Sequence, residues 1–204
     1  MLKLKVIRNQ ILHVEASTQA ELALSFLRFQ EYYESPRFRG KFFSIKEFKD
    51  WYRKKYGRFS YASDWAGFNV PSYVFDPFLR GQFGRLSRLE KRLLKLIGNQ
   101  TKPFYVIGTY KNSDGCFDHE FSHALYHTNL GYKKRVNQIL NGLNLKPLFR
   151  YFKKLGYASN VFMDEAHAYL THDVDSLQSD GINLKPYLRQ IKALKNNYKK
   201  FKRC

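Results

Sequence analysis

The stretch Phe117-Asp118-His119-Glu120-Phe121-Ser122-His123-Ala124-Leu125 contains the pattern H-E-x-x-H once, at His119, Glu120 and His123. Residues four positions apart on an α-helix lie on one face, about one turn apart. The two imidazoles can therefore converge on one metal ion. Glu120 lies at the rim of that face, where a carboxylate can hold a water molecule without binding the ion. The spacing predicts a metal-binding helix over residues 116–128.

The sequence on either side of this helix predicts a small β-sheet among many helices. Alternating or β-branched residues predict strands over residues 2–7, 11–15 and 102–110. Turns are expected at Arg8-Asn9-Gln10 and at Asn112-Ser113-Asp114-Gly115. The fold class is therefore α+β, mostly helical.

Helix signals recur along the whole chain. The capping boxes Thr18-x-x-Glu21, Ser44-x-x-Glu47 and Ser87-x-x-Glu90 each mark the start of a helix. Apolar residues at helical spacing predict the others. The predicted helices cover about residues 18–34, 44–57, 86–97, 116–128, 133–143, 147–155, 161–171 and 184–200. Residues 59–77 and 173–183 are expected to be irregular.

Composition limits the class of protein. The chain has 204 residues, 44% of them hydrophobic, which suits one globular domain. We predict a single domain with a hairpin and helices in residues 1–100, a zinc-binding catalytic core in residues 101–175 and a basic helix in residues 184–204. Only Cys116 and Cys204 are present, and no run of 18 apolar residues occurs, so a cytoplasmic protein without a membrane span is expected.

A third protein ligand is expected, because catalytic zinc sites usually take three and leave one position for water. His127 lies eight residues after His119, about 12 Å along the helix axis, which is too far to share the ion bound by His119 and His123. We expect His127 on the surface or beside the site.

The second concentration of ligand-type residues is Met163-Asp164-Glu165-Ala166-His167-Ala168-Tyr169-Leu170. On a helix, Glu165 and His167 lie about 200° apart and cannot both face the ion. The neighbouring alanines suit close approach of two helices, which favours Glu165 as the third ligand.

The H-E-x-x-H helix followed by a downstream glutamate helix resembles the zincin metallopeptidases, and within them the gluzincin group. The resemblance covers roughly residues 104–172. It implies Zn²⁺ bound by His119, His123 and Glu165, with Glu120 as the catalytic general base. It also implies that the strand over residues 104–110 pairs with an extended peptide substrate.

The chain departs from two zincin patterns. Tyr126 and Asn129 stand where the metzincin extension has Gly and His, which excludes that branch. Gluzincins often carry Asp four residues after the glutamate ligand, to hold a ligand imidazole, and Tyr169 stands there. Asp164 or a backbone carbonyl is expected to hold the imidazole instead.

The reaction class that follows is zinc-dependent hydrolysis of a peptide bond, with a peptide or protein as substrate. Such a reaction needs a hydrogen-bond donor for the developing oxyanion. Tyr169 and His172, on the same helix face as Glu165, are the candidate catalytic donors, and Tyr157 is the next.

Charge supports an alternative function. The formal net charge is +19, which favours association with nucleic acid or with acidic substrates. Basic and aromatic residues alternate in Tyr198-Lys199-Lys200-Phe201-Lys202-Arg203 and could neutralise phosphates and stack on bases. The alternative is a basic nucleic-acid-associated protein with a structural or inactive metal site. A structural site does not require Glu120 between the histidines, which favours the enzyme.

Overall fold

The computed structural model describes residues 1–8, 10–113 and 115–203. Asn9 of the first predicted turn, Asp114 of the second predicted turn and the terminal Cys204 lie outside the described residues. The chain divides into two compact units, Met1–Phe117 and Asp118–Cys204. The expected single domain remains a prediction.

The first unit contains a four-stranded sheet in the order β1-β2-β4-β3. Its strands are β1 (Lys3–Arg8), β2 (Ile11–Ala16), β3 (Phe68–Pro71) and β4 (Tyr105–Tyr110). The predicted hairpin is confirmed, because β1 and β2 pair in antiparallel fashion. β4 pairs with β2 in parallel and with β3 in antiparallel fashion.

The position of β4 corrects one expectation. Over Tyr105–Gly108 both edges of this strand are hydrogen-bonded to neighbouring strands. A strand that is paired on both sides offers no free backbone edge to an extended peptide. The prediction that this strand pairs with substrate is therefore wrong for residues 105–108. Strand β3 was not predicted, because residues 59–77 lack a clear hydrophobic period.

Five α-helices lie wholly within the described residues of the first unit. They are α1 (Gln19–Glu34), α2 (Ile45–Tyr56), α3 (Tyr61–Asp64), α4 (Asp76–Leu79) and α5 (Arg88–Ile97). The side chains of Thr18, Ser44 and Ser87 each accept a hydrogen bond from the backbone N–H three residues on, so all three predicted helix starts are confirmed. The segment over residues 59–77 is more regular than expected, since it contains α3, β3 and α4.

The core of the first unit lies between the sheet and α1 and is rich in phenylalanine. Phe26 and Phe29 of α1 are fully buried. Gly108 permits the close approach of α1 to β4, because an added Cβ would lie 2.8 Å from the Phe26 ring. The main stabilisation is burial of apolar area, at roughly 25 cal/mol per Å².

A buried ion pair joins α1 to α5. Arg28 Nε donates to Glu90 Oε1 at 2.6 Å, and Arg28 Nη2 donates to Glu90 Oε2 at 2.8 Å. Both side chains are only 1% exposed. Arg28 Nη1 also donates to the carbonyls of Phe43 and Phe83. Glu90 was expected only as a capping residue, and its second role depends on a partner 62 residues away.

The second unit is helical. Its helices are α6 (Cys116–Thr128, whose first two residues belong to the first unit), α7 (Leu130–Leu140), α8 (Lys146–Leu155), α9 (Phe162–His172), α10 (Val174–Ser179) and α11 (Leu188–Arg203). α9 packs against α8, α10 and α11, and α11 also packs against α7. Ala166 and Ala168 of α9 are fully buried, which permits these close contacts.

These elements confirm the predicted fold class, α+β and mostly helical with a small sheet. The H-E-x-x-H segment and the Glu165 segment both form helices where predicted. The expected loop over residues 173–183 is wrong in part, since α10 lies within it. Among the described residues, no helix combines the length and apolar character needed to cross a membrane.

Candidate metal centre

Three side chains of the second unit converge as a candidate ligand group. His119, His123 and Glu165 each offer one ligand atom, and these atoms all lie within 4.8 Å of one another. The Nε2 atoms of His119 and His123 are 3.1 Å apart, and Glu165 Oε1 lies 3.8 Å from His123 Nε2. Two nitrogens bound to zinc tetrahedrally at 2.0–2.1 Å would be about 3.3 Å apart. The group could therefore hold a metal ion.

The spacing in the sequence explains the positions of the two histidines. His119 and His123 are one turn apart on α6, so their rings face the same way. The side chains of His123 and Glu165 are 1% and 3% exposed, whereas the His119 side chain is 14% exposed. Access from solvent is therefore on the His119 side. Within residues 1–8, 10–113 and 115–203, this is the one such group of three or more His, Cys, Asp or Glu residues.

Asp164 supports His123 from behind. Its Oδ1 lies 2.9 Å from His123 Nδ1, which directs Nε2 of that ring towards the ligand group. The other oxygen, Oδ2, lies 2.9 Å from His127 Nε2. The expectation that Asp164 holds an imidazole agrees with this contact, and His127 lies beside the site as expected.

His167 belongs to the same network and does not join the ligand group. Its Nδ1 lies 2.6 Å from the backbone carbonyl of Asp164 and 3.2 Å from Asp164 Oδ1. Its ring is fully buried and stacks on Tyr126 with ring centroids 5.0 Å apart. The helix-face argument that separated His167 from Glu165 is consistent with this position.

Asp173 supports the other histidine, and sequence reasoning missed it. Asp173 Oδ2 accepts a hydrogen bond from His119 Nδ1. This residue directly follows α9, eight positions after Glu165. The segment from 173 to 183 was expected to be an irregular loop, and no short-range pattern marked Asp173 as a partner of His119.

The carboxylates change the acid–base behaviour of the group. Burial opposes ionisation of Asp164, but the adjacent His123, His127 and His167 outweigh it and hold the Asp164 pKa well below its usual range. Burial likewise opposes the charge on His119, but the hydrogen bond to Asp173 and the nearby carboxylates raise its pKa. The ionised Asp164 raises the basicity of the His123 imidazole as a ligand.

The predicted catalytic residues have different surroundings. Glu120 is 7% exposed, and its charge acts on His119. The Tyr169 ring lies perpendicular to the His119 ring, with centroids 5.2 Å apart. Burial, the charge of Glu165 and nearby phenol and carboxylate groups raise the Tyr169 pKa, while a hydrogen bond with Tyr157 opposes the shift. Tyr169 is therefore a neutral phenol at neutral pH, able to donate a hydrogen bond.

The His172 side chain is hydrogen-bonded to a residue outside the ligand group. Its Nε2 forms a 2.7 Å hydrogen bond with Ser122 Oγ, and its ring meets the Tyr198 ring edge-on at 4.5 Å. Burial, followed by the charge of His119, lowers the pKa of His172 to about 4. His172 is therefore neutral at pH 7, and its Nε2 is already hydrogen-bonded.

Comparison with protein-family models, with curated proteins and with solved structures found no match. The candidate function therefore depends on the site itself.

Proposed function

We propose that this chain is a zinc-dependent metallopeptidase in which His119, His123 and Glu165 hold the ion. The observation that carries the proposal is the paired support of the two histidines by Asp173 and Asp164. A carboxylate behind each imidazole is the arrangement that metal-ligating histidines use. The two-histidine, one-carboxylate set is also a donor set of catalytic zinc sites.

Zinc, when bound, supplies a Lewis acid that lowers the pKa of a coordinated water to about 7. Glu120 then acts as the general base that accepts the proton of the attacking water. The Tyr169 phenol donates a hydrogen bond to the carbonyl oxygen as negative charge develops there. Tyr157 holds the Tyr169 hydroxyl in place, and His172 has no direct part in this scheme.

A zinc titration of the full chain tests the ligand set. We expect about one Zn²⁺ per chain, lost in the His119→Ala/His123→Ala variant and kept in the matched variant His13→Ala. His13 is a buried histidine of β2 that hydrogen-bonds Thr109. Zinc binding that survives removal of both α6 histidines would exclude this ligand set.

Hydrolysis of a fluorescently labelled unfolded protein tests the general base. Glu120→Gln should keep zinc and lose hydrolysis, because the amide cannot accept the proton. Full activity in that variant would remove Glu120 from the mechanism. Zinc binding without hydrolysis in the parent chain would favour the alternative, a basic protein with a structural metal site.

A further inference from the structure

We propose that a cavity of the second unit, between α7 and α11, binds a nucleoside monophosphate unit, either as a free nucleotide or within a single-stranded nucleic acid. The cavity has a volume of about 500 Å³, which is in the range of ligand pockets. Its lining consists of Arg135, Ala193, Asn196, Asn197, Lys200 and Phe201. None of these residues belongs to the candidate metal centre.

The positive charge of α7 and α11 favours an anionic ligand. α7 and α11 carry ten basic residues and no acidic one in their sequences. Arg135 and Lys200 are the two that line the cavity, one from each helix. Guanidinium and ammonium groups both bind phosphate oxygens, the first in bidentate fashion and the second as a compact charge.

A buried amide requires a hydrogen-bond acceptor. Asn197 is 8% exposed, and its Nδ2 has no hydrogen-bond partner among the residues that the structure describes. Buried donors are normally satisfied, and rotation of the Asn197 side chain towards the cavity would let an acceptor on a ligand satisfy its Nδ2. The exposed amide of Asn196 lies on the same wall and can read the edge of a base.

The remaining wall suits a planar ring. Phe201 and Ala193 are the apolar residues of the cavity lining. The Phe201 ring is held edge-on by Tyr132, with centroids 5.4 Å apart, so its orientation is set before a ligand arrives. Bases stack on such aromatic side chains whatever their identity. A phosphate, a planar base and an acceptor group together describe a nucleotide better than an acidic peptide.

Binding should be measured on the full chain by calorimetry, with and without one equivalent of zinc. The titrants are adenosine monophosphate, a ten-nucleotide single-stranded DNA, inorganic pyrophosphate and an octaglutamate peptide. We expect saturable binding of the first two and competition between them. Tighter binding of the oligonucleotide identifies nucleic acid as the source, and similar affinities identify the free nucleotide.

Two double variants distinguish binding in the cavity from non-specific binding through the positive charge of the chain. Arg135→Gln/Lys200→Gln removes one charge from each helix at the cavity, and Lys134→Gln/Lys195→Gln removes one from each helix outside it. All four side chains are exposed, so folding should be retained. We expect the cavity variant to weaken nucleotide binding at least about 10-fold and the control less than about 3-fold.

Phe201→Leu tests stacking on the Phe201 ring, because leucine is an apolar side chain of similar volume without a ring. The substitution should weaken the binding of adenosine monophosphate about 5- to 10-fold and leave the binding of pyrophosphate unchanged. The proposal is overturned by absent nucleotide binding, by equal losses in the two double variants, or by pyrophosphate or octaglutamate binding as tightly as the nucleotides. None of these outcomes bears on zinc or on hydrolysis.

Discussion

Asp164 Oδ1 lies 2.9 Å from Nδ1 of His123, and the residue that follows Asp164 is the candidate ligand Glu165. Two consecutive residues of α9 thus serve one metal centre, one as a ligand and one behind another ligand. They can do so because α9 turns about 100° per residue, which places Glu165 and Asp164 on adjoining parts of one face.

Replacing Asp164 should weaken metal binding without removing a ligand. We expect Asp164→Asn to lower zinc affinity about 10- to 100-fold, because the amide no longer holds His123 through an ionised oxygen. Competition with a chromophoric chelator measures the effect. Asp175→Asn, at an exposed position of α10, is the matched control and should bind zinc like the parent chain. Equal affinities in all three proteins would contradict the supporting role of Asp164.

Removing the Tyr169 hydroxyl should affect turnover and leave zinc in place. Tyr169→Phe is expected to lower kcat about 10²- to 10³-fold, the usual effect of losing one oxyanion donor. Tyr73→Phe, at an exposed tyrosine of the first unit, is the control. If the Tyr169→Phe protein keeps its turnover and Tyr157→Phe loses it, the donor is Tyr157.

Breaking the Arg28–Glu90 ion pair should destabilise the first unit. Glu90→Gln leaves a buried guanidinium without its counter-charge, and such losses cost about 3–5 kcal/mol of unfolding free energy. Urea unfolding followed by circular dichroism provides the measurement. Glu47→Gln removes the equivalent capping glutamate of α2, which is exposed, and should cost much less.

The double variant Arg28→Met/Glu90→Leu tests whether the unpaired charge causes the loss of stability in Glu90→Gln. Replacing both partners by apolar residues removes the unpaired charge, so this protein should recover most of the lost stability. A double variant no more stable than Glu90→Gln would mean that the loss comes from poor side-chain fit instead.

Glu31 should make stability depend on pH. Burial raises its pKa to about 7, against opposing hydrogen bonds from Ser35 and Tyr61. The folded state therefore binds this proton more tightly than the unfolded state does. Its contribution is fully present below about pH 4.5 and is lost as the pH rises to about 7.

Comparing Glu31→Gln with the parent chain isolates this effect. The unfolding free energy of the variant minus that of the parent should rise between about pH 4.5 and 7 and stay level above. In Glu47→Gln the difference should stay level between about pH 4.5 and 7 and change only below about pH 4.5, because hydrogen bonds with Ser44 lower the pKa of Glu47. A Glu31→Gln difference that is constant over this pH range would refute the assignment.

Local interactions account for what could be predicted. The starts of α2 and α5 follow from capping boxes and that of α1 from the Thr18 cap, and in each case donor and acceptor are three residues apart. The convergence of His119 and His123 follows from the helical repeat alone. The predicted hairpin likewise depends on neighbouring segments. The boundaries of α7, α9 and α11 differ from prediction by one to four residues.

The sequence by itself determined the α+β class, the placement of His119 and His123 on one face of α6 and the choice of Glu165 over His167, because each depends on patterns within single strands or helices. Only the tertiary structure decided that Asp173 holds His119, that Arg28 meets Glu90, and that β4 lies between two strands. The first two contacts join residues 54 and 62 positions apart, and the strand pairs of β4 join residues 34 to 40 and 94 positions apart. No local repeat records such pairs, because they form only when distant elements bury their apolar faces together.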